Sequence, residues 1–397
     1  MSMRLLIVGM ANSPHLHRWV RATWSSNMTV VVFPSLIADI SWDEATSIRM
    51  SELGPSLPPG LYCIDNRDIR GKDAWAIDRH WHYQPLTHPF VPIEALATAD
   101  CLAEAVKRLE PQLLHSMESQ TAGYLVGEFW RRHTPRLPWV HSTWGSDLAL
   151  YGAMLGHADR LRRMFQYVTH YLSDCSRDAE LARSLGYAGP ELPVLPATCG
   201  VDVASMAALA QDPPSRRRQI LVKGYQNWAG RNLLALSALT LIAEEVCDYE
   251  IVIPNAGPAL YEWAGIMTNR TGLRVTALTH TPALEDVFAE IARSRISISL
   301  SLSDGLPTMV LEAMALGAFP IQSTAGCGCE WFQEGVTGLS VPANDTRAVA
   351  AAIRTALRDD AMVDHAARLN RAIVRDRWDS ETNGAIARAI YRRAMDG

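Results

Sequence analysis

The sequence predicts an α/β protein made of two doubly wound halves. Three observations carry that expectation. Short apolar runs at residues 4–9 and 219–224 each close on glycine, each is followed by a helix-forming stretch, and a Pro/Gly-punctuated segment at residues 200–218 separates them. Continuous apolar runs, rather than alternating ones, are what strands buried on both faces of a parallel sheet require. A length of 397 residues suits two or three domains at about 150 residues each. The expected division is residues 1–205, residues 206–375, and a closing helix over residues 376–397 that packs back toward the first domain.

Composition excludes several classes. With 48% hydrophobic and 20% charged residues, close to soluble globular usage, disorder, collagen and coiled coil are poor readings and a packed core is expected. The 37 basic and 42 acidic residues leave a net charge of -5, so no overall attraction draws the chain to nucleic acid or to an anionic bilayer. Seven cysteines, an odd number scattered along the chain, resemble reduced cytoplasmic thiols rather than a disulfide framework. No run approaches the roughly 18 apolar residues of a membrane span, and the start lacks a signal peptide's apolar stretch. A soluble, cytoplasmic protein is expected, one still able to meet a membrane peripherally.

The elements follow in order. Residues 4–9 form the first strand. Pro14 opens a helix capped by Asn12 or Ser13, with Leu16, Trp19, Val20 and Trp24 on one face. Residues 29–33 are the next strand, and residues 34–94 read as irregular connections with short elements. A helix over 95–109 precedes strands at 112–115, 139–144 and 168–173, and Ser176 caps a helix ending near Gly186. The second half restarts with a strand at 219–224 and a helix after Arg231. Strands follow at 250–253, 274–277, 296–300 and 319–322. The tribasic Arg216-Arg217-Arg218 reads as a solvated linker. Two such halves place a ligand cleft between them, beyond the carboxyl ends of their strands.

The run Asp304-Gly305-Leu306-Pro307-Thr308-Met309-Val310-Leu311-Glu312 carries the chemistry. A strand ends before Asp304, Gly305 permits a tight turn, and Pro307 prepares a helix whose unpaired N–H groups and dipole suit a phosphate. The dipole contributes only about 0.3–2 kcal/mol, so a diphosphate also needs a cation. Arg231 is the leading candidate, with Lys223, just before Gly224, the second. Glu312 stands among apolar helix residues, where a carboxylate must find donors; a ribose with adjacent hydroxyls supplies them. Cys327 and Cys329, without a second ligand pair, read as a buried thiol pair rather than a metal site. No metal is expected.

Residues 304–317 resemble the E-x7-E segment of the retaining family 4 (group 1) glycosyltransferases, and Pro320 continues the match. Residues 335–345, Cys199-Gly200-Val201-Asp202 and Trp378 extend the resemblance over residues 200–397, with a looser likeness at 13–19, 111–116 and 144–147. The resemblance implies a GT-B fold of two Rossmann-like domains, with a nucleoside diphosphate-sugar donor of UDP or GDP type as substrate and no cofactor. It implies that Glu312 holds the ribose, Asp304 lies beside the transferred sugar, and Gly305, Leu306, Pro307 and Thr308 contact sugar and diphosphate. Arg231 approximates the phosphate-binding lysine, with Lys223 and Gly224 also on the donor side. Two departures stand out: Asp304 replaces the usual Glu, and Tyr225 follows Gly224 where Arg is common.

On the first half, Asn12, Ser13, His15 and Asp147 are nominated for acceptor or sugar contacts, while His115, His141 and His280 are candidates by placement alone. The implied activity is sugar transfer with retention to a small-molecule, glycan or lipid-linked acceptor carrying a hydroxyl or amine. Two alternatives are a nucleotide-sugar 2-epimerase of the same fold and a non-catalytic nucleotide-sugar binding protein. The loop 278–282 is the place expected to contact the base. A dinucleotide-dependent dehydrogenase is disfavoured because residues 9–14 lack the G-x-G-x-x-G spacing.

Overall fold

The computed structural model describes residues 3–36, 42–69, 97–209, 213–227, 229–278 and 283–396. It divides into two compact units, Met1–Cys199 with Glu381–Gly397, and Gly200–Ser380. The division falls where Cys199 and Gly200 both take left-handed backbone, at φ 62° and 97°.

The first unit is a seven-stranded parallel sheet of β1 (Met3–Gly9), β2 (Met28–Pro34), β3 (Thr46–Ile48), β4 (Gly60–Ile64), β5 (Leu113–Met117), β6 (Trp139–Ser142) and β7 (His170–Leu172). Their order is β3-β4-β2-β1-β5-β6-β7. β1 is flanked on both sides, and its apolar run is divided by the pleat. Leu6 and Val8 enter the core on one face, Leu5 and Ile7 the core on the other. Ser13 caps the Pro14–Thr23 helix, accepting from the His15 N–H, and Pro14 takes the first turn, where its missing N–H costs nothing. The closing Ser380–Asp396 helix packs on the same face as that helix. Tyr391 accepts a 2.8 Å hydrogen bond from Trp19 Nε1, and Arg388 donates to the Ala22 carbonyl.

The second unit is a six-stranded parallel sheet of β8 (Gln219–Val222), β9 (Glu250–Ile253), β10 (Arg274–Ala277), β11 (Ile296–Ser299), β12 (Phe319–Ser323) and β13 (Leu339–Val341), ordered β10-β9-β8-β11-β12-β13. From β8 the chain winds outward through β9 and β10, then returns to β11 on the other side of β8. The winding reverses between β8 and β11, which leaves a crevice beyond their carboxyl ends. In the first unit the same reversal lies between β1 and β5.

Several expectations are corrected. The strand read over 139–144 stops at Ser142, because the Thr143 hydroxyl pairs with the Tyr171 hydroxyl and the Trp144 N–H turns to Asp147. Cys175, not Ser176, is the cap residue of the Ser176–Ser184 helix. Arg217 is not solvated: its guanidinium is buried and bonded to the Ser294 and Leu316 carbonyls. Cys327 is buried but Cys329 is exposed, so the two are not a buried pair. Among the described residues no helix is long and apolar enough to cross a membrane.

Two glycines separate packing from propensity. A Cβ at Gly384 would strike the Ala22 carbonyl, whereas one at Gly265, inside the Pro258–Thr271 helix, meets nothing within 4 Å. Gly384→Ala is therefore expected to destabilise the fold by about 1–3 kcal/mol, and Gly265→Ala to stabilise it by about 0.5–1 kcal/mol. Urea denaturation of both variants checks this; equal midpoints would refute the packing of the closing helix.

Candidate active site

The second unit's site grows from the loops that follow β8 and β11. The first loop, residues 223–231, begins with Lys223 and Gly224. Only glycine fits at 224, since a Cβ there would run into the carbonyls of Pro254 and Asn255. Asn227 then folds the loop, its side-chain oxygen accepting from the Ala229 and Gly230 N–H groups at 3.0 and 2.8 Å. Arg231 is the cap residue of the Asn232–Leu241 helix, and its Nη1 donates to the carbonyls of Asn227 and Gly230, both at 2.8 Å.

This loop is stitched to the segment after β11. Arg231 N–H donates to Leu300 O at 2.9 Å, Leu302 N–H donates to Ala229 O at 2.8 Å, and Gly230 bridges Ser301. Asn232, fully buried, accepts from Leu300 N–H and donates to Tyr225 O. The stitching holds the two loops side by side, and Lys223 Nζ lies 3.5 Å from the Asp304 carboxylate. The same ammonium sits 5.1 Å from the centre of the exposed Tyr225 ring.

Gly305, Leu306 and Pro307 are buried between Asp304 and the Thr308–Leu316 helix, which Pro307 caps without a side-chain bond. The Gly305 carbonyl accepts from Cys327 N–H at 2.8 Å, which pins the turn to the loop after β12. Glu312 lies on the second turn of that helix, 5% exposed, within an otherwise apolar buried run from Val310 to Leu316. Lys223 and Asp304 thus stand side by side in one unit, with Gly305 next in the chain and Glu312 on the helix that follows. Arg231 is on the same stitched loop, with its guanidinium on that loop's own carbonyls.

In the first unit, Asn12 is exposed and Ser13 is spent on capping, while the His15 ring rests 5.3 Å from the Trp144 ring. Asp147 is buried and accepts from the N–H groups of Ser119 and Trp144. His115 is fully buried between the Tyr391 and Ser142 hydroxyls at 2.8 and 3.0 Å, and His141 between Ser116 and Ser119 at the same distances. Both are core residues held neutral by burial, which lowers each imidazole to about 3. His280 and residues 279–282 of the expected base-contacting loop lie outside the described residues.

Sequence reasoning missed Glu118, at the end of β5. It takes φ 71°, rare for a residue with a Cβ, and its carboxylate accepts from the N–H groups of Gln120, Thr121 and Ala122 at 2.8, 2.7 and 2.6 Å. The strained backbone costs about 1–3 kcal/mol, less than three hydrogen bonds to a charged acceptor at about 1.5–3 kcal/mol each. An acid followed by Ser119-Gln120-Thr121 is a capping signal that could have found it. Burial, then the charge of Glu118, pushes Asp147 up to about 6, and burial raises Glu118 as well.

A carboxyl raised in the folded state binds its proton more tightly there than in the unfolded chain. Its contribution to stability is therefore largest below 3.8 and is lost as pH rises through about 6. Asp147→Asn removes this titration. The variant is expected to be less stable than the parent at pH 4, having lost one acceptor, with the gap narrowing by pH 7. Urea midpoints across that range test it, and a gap that does not change with pH would contradict it.

Comparison with known proteins adds the following. Residues 220–359 match a family model described as glycosyl transferases group 1. No curated protein sequence matches the chain. Among solved structures, HepE from Anabaena in complex with UDP-glucose is 14% identical, with 98% of this chain and 100% of that chain covered and a TM-score of 0.66. Sucrose-phosphate synthase from Thermosynechococcus elongatus is 15% identical, covering 98% of each chain at a TM-score of 0.70. A UDP-forming α,α-trehalose-phosphate synthase from Burkholderia vietnamiensis is 13% identical, covering 99% of each at 0.68. Two parallel sheets and likeness along nearly the whole chain identify the fold as GT-B, and residues 220–359 are similar to the group 1 glycosyl transferases.

Proposed function

We propose that the protein is a retaining glycosyltransferase that moves a sugar from a nucleoside diphosphate donor to a hydroxyl or amine acceptor. The observation that carries this reading is the Lys223–Asp304 pair, 3.5 Å apart on loops stitched together where the sheet's winding reverses, with Glu312 buried on the helix that follows. Strand ends at such a reversal are where open α/β sheets hold nucleotides. The match of residues 220–359 to group 1 glycosyl transferases supports the class of reaction. UDP is favoured over GDP by the UDP-glucose complex and the UDP-forming synthase that share the fold.

In this reading Glu312 accepts hydrogen bonds from the ribose hydroxyls. Lys223 and Arg231 neutralise the diphosphate, together with the positive end of the Thr308–Leu316 helix dipole. Gly305, Leu306 and Thr308 offer backbone amides, and Pro307, which has none, fixes the turn. Gly224 lets the strand-end loop pass close to the neighbouring backbone. Asp304 receives hydroxyls of the transferred sugar, while Asn12, Ser13, His15 and Asp147 serve the acceptor side. The acceptor oxygen attacks the anomeric carbon on the face from which the phosphate oxygen departs. The C–O bond to phosphate breaks as the new one forms, and the leaving phosphate oxygen takes the acceptor's proton. No dedicated base is needed, because the acceleration comes from positioning and from fixed positive charge around the diphosphate.

A thermal-shift panel of UDP, GDP, ADP, dTDP and CDP with their sugars tests the donor class, since a ligand of the native state raises apparent stability. At least one member is expected to raise the melting temperature, and Glu312→Ala to weaken its binding by about 10- to 100-fold, the worth of one or two hydrogen bonds to a charged group. No shift with any member in folded protein would overturn the proposal. Asp304→Asn is expected to retain the free nucleotide but lose turnover, and Asp304→Glu to retain both. Proton NMR of the product then reads the anomeric configuration: an inverted linkage would refute the retaining course, and donor epimerised without acceptor would identify an isomerase instead.

A further inference from the structure

The Arg216-Arg217-Arg218 run walls a cavity of about 520 Å³ in the second unit, completed by Arg293 and Gln219. Leu209, Ala289 and Ala292 supply its apolar side. The cavity opens at the amino end of β8, which begins at Gln219, whereas Lys223 follows its other end, about 10 Å along the strand. It is therefore separate from the donor loops.

One of the arginines is fixed in place. Arg217, 5% exposed, donates to Ser294 O and Leu316 O at 3.0 and 3.2 Å, the carbonyls that end the Leu284–Arg293 and Thr308–Leu316 helices. That use is ordinary helix capping. Arg293 pairs with Glu290, whose carboxylate also accepts from Gln219 Nε2 at 2.9 Å. Arg218 donates to the Ser215 and Arg217 carbonyls and faces the Tyr249 ring at 5.6 Å. Arg216 is exposed.

Three acids near this end of the unit already have partners. Glu290 serves Arg293 and Gln219; Asp364 accepts from the Ser215 N–H and hydroxyl; Asp360 pairs with the buried Arg295 at 2.7 Å. Among the described residues, the cavity's lining holds four guanidinium groups, Arg216, Arg217, Arg218 and Arg293, and no acidic residue. A phosphate suits such a lining, because a planar guanidinium presents two parallel N–H groups to it. A cavity of this volume falls within the range of small-molecule sites, roughly 300–1,000 Å³.

We propose that this cavity binds a phosphate-bearing ligand, with Arg216 and Arg218 gripping the phosphate over a base held by Arg217. Isothermal titration with inorganic phosphate and with glucose 6-phosphate, at ionic strength held constant with chloride, tests it. Flotation with phosphatidylcholine vesicles containing phosphatidic acid distinguishes a soluble phosphate from a lipid headgroup. The parent is expected to bind at least one probe with a dissociation constant below ~1 mM. Arg216→Ala/Arg218→Ala, two exposed positions whose loss leaves the fold intact by circular dichroism, should weaken that binding at least tenfold. Arg231→Ala, on the donor loop, should leave it unchanged. Binding of the soluble probes alone assigns a phosphorylated metabolite, and flotation alone a membrane headgroup. Absence of binding to every probe, or loss in Arg231→Ala without loss in the double variant, overturns the proposal.

Discussion

The candidate site depends on one constraint: the loop after β8 must lie against the segment after β11. Backbone groups do most of this, through Arg231 to Leu300 and Leu302 to Ala229, and one buried side chain completes it. Asn232 spends its oxygen on Leu300 and its nitrogen on Tyr225, so an amide that would cost about 1–3 kcal/mol unpaired becomes the clamp between two strand ends. Gly224 is the condition for it, because the loop leaves the sheet through a gap against Pro254 and Asn255 too narrow for a Cβ.

The first unit solves a different problem at its equivalent place. Its strand ends gather acids: Glu118 after β5, Asp147 after β6, Asp174 and Asp178 after β7, all buried. Burial pushes Asp147 and Asp178 up to about 6 and raises Glu118, so the group is reluctant to hold its full charge. Backbone N–H groups and Arg177, 2.8 Å from Asp178, compensate it. Glu118 and Asp147 bond to loop backbone, and Asp178 bonds to the Arg177 side chain.

What was legible in the sequence follows from burial. β1, β2, β8 and β9 have buried or nearly buried runs and announce themselves as apolar stretches, while β11 and β12 are equally buried but mix apolar residues with Ser, Pro and Gln. β3 and β13 are short edge strands, partly exposed, and carry no such run; β4 has an apolar run at residues 61–64, but it stands in a segment dense in Pro, Gly and charged residues and was not separated from loop. Lys223, Asp304 and Glu312 were legible because charge beside glycine and within an apolar helix is unusual. The clamp was not, because backbone atoms make it and Asn232 looks like any polar residue at a helix start. Glu118 escaped for the opposite reason: left-handed backbone is expected of glycine, and only its capping bonds make the exception affordable.

The strength of the Lys223–Asp304 contact bears on what it is for. At 3.5 Å, with the two side chains 15% and 20% exposed, it is a partly solvated pair, and such pairs contribute about 0–1 kcal/mol. A purely structural role would favour the arrangement of Arg295, which is 1% exposed and holds three carbonyls and Asp360 at once. Arg295 cannot be released without leaving a buried charge uncompensated, whereas Lys223 and Asp304 can exchange each other for other partners at little cost. An incoming diphosphate would take the ammonium and a sugar hydroxyl the carboxylate, each replacing a weak contact with a charge-assisted one. The looseness of the pair is thus the physical reason to read it as a site at rest.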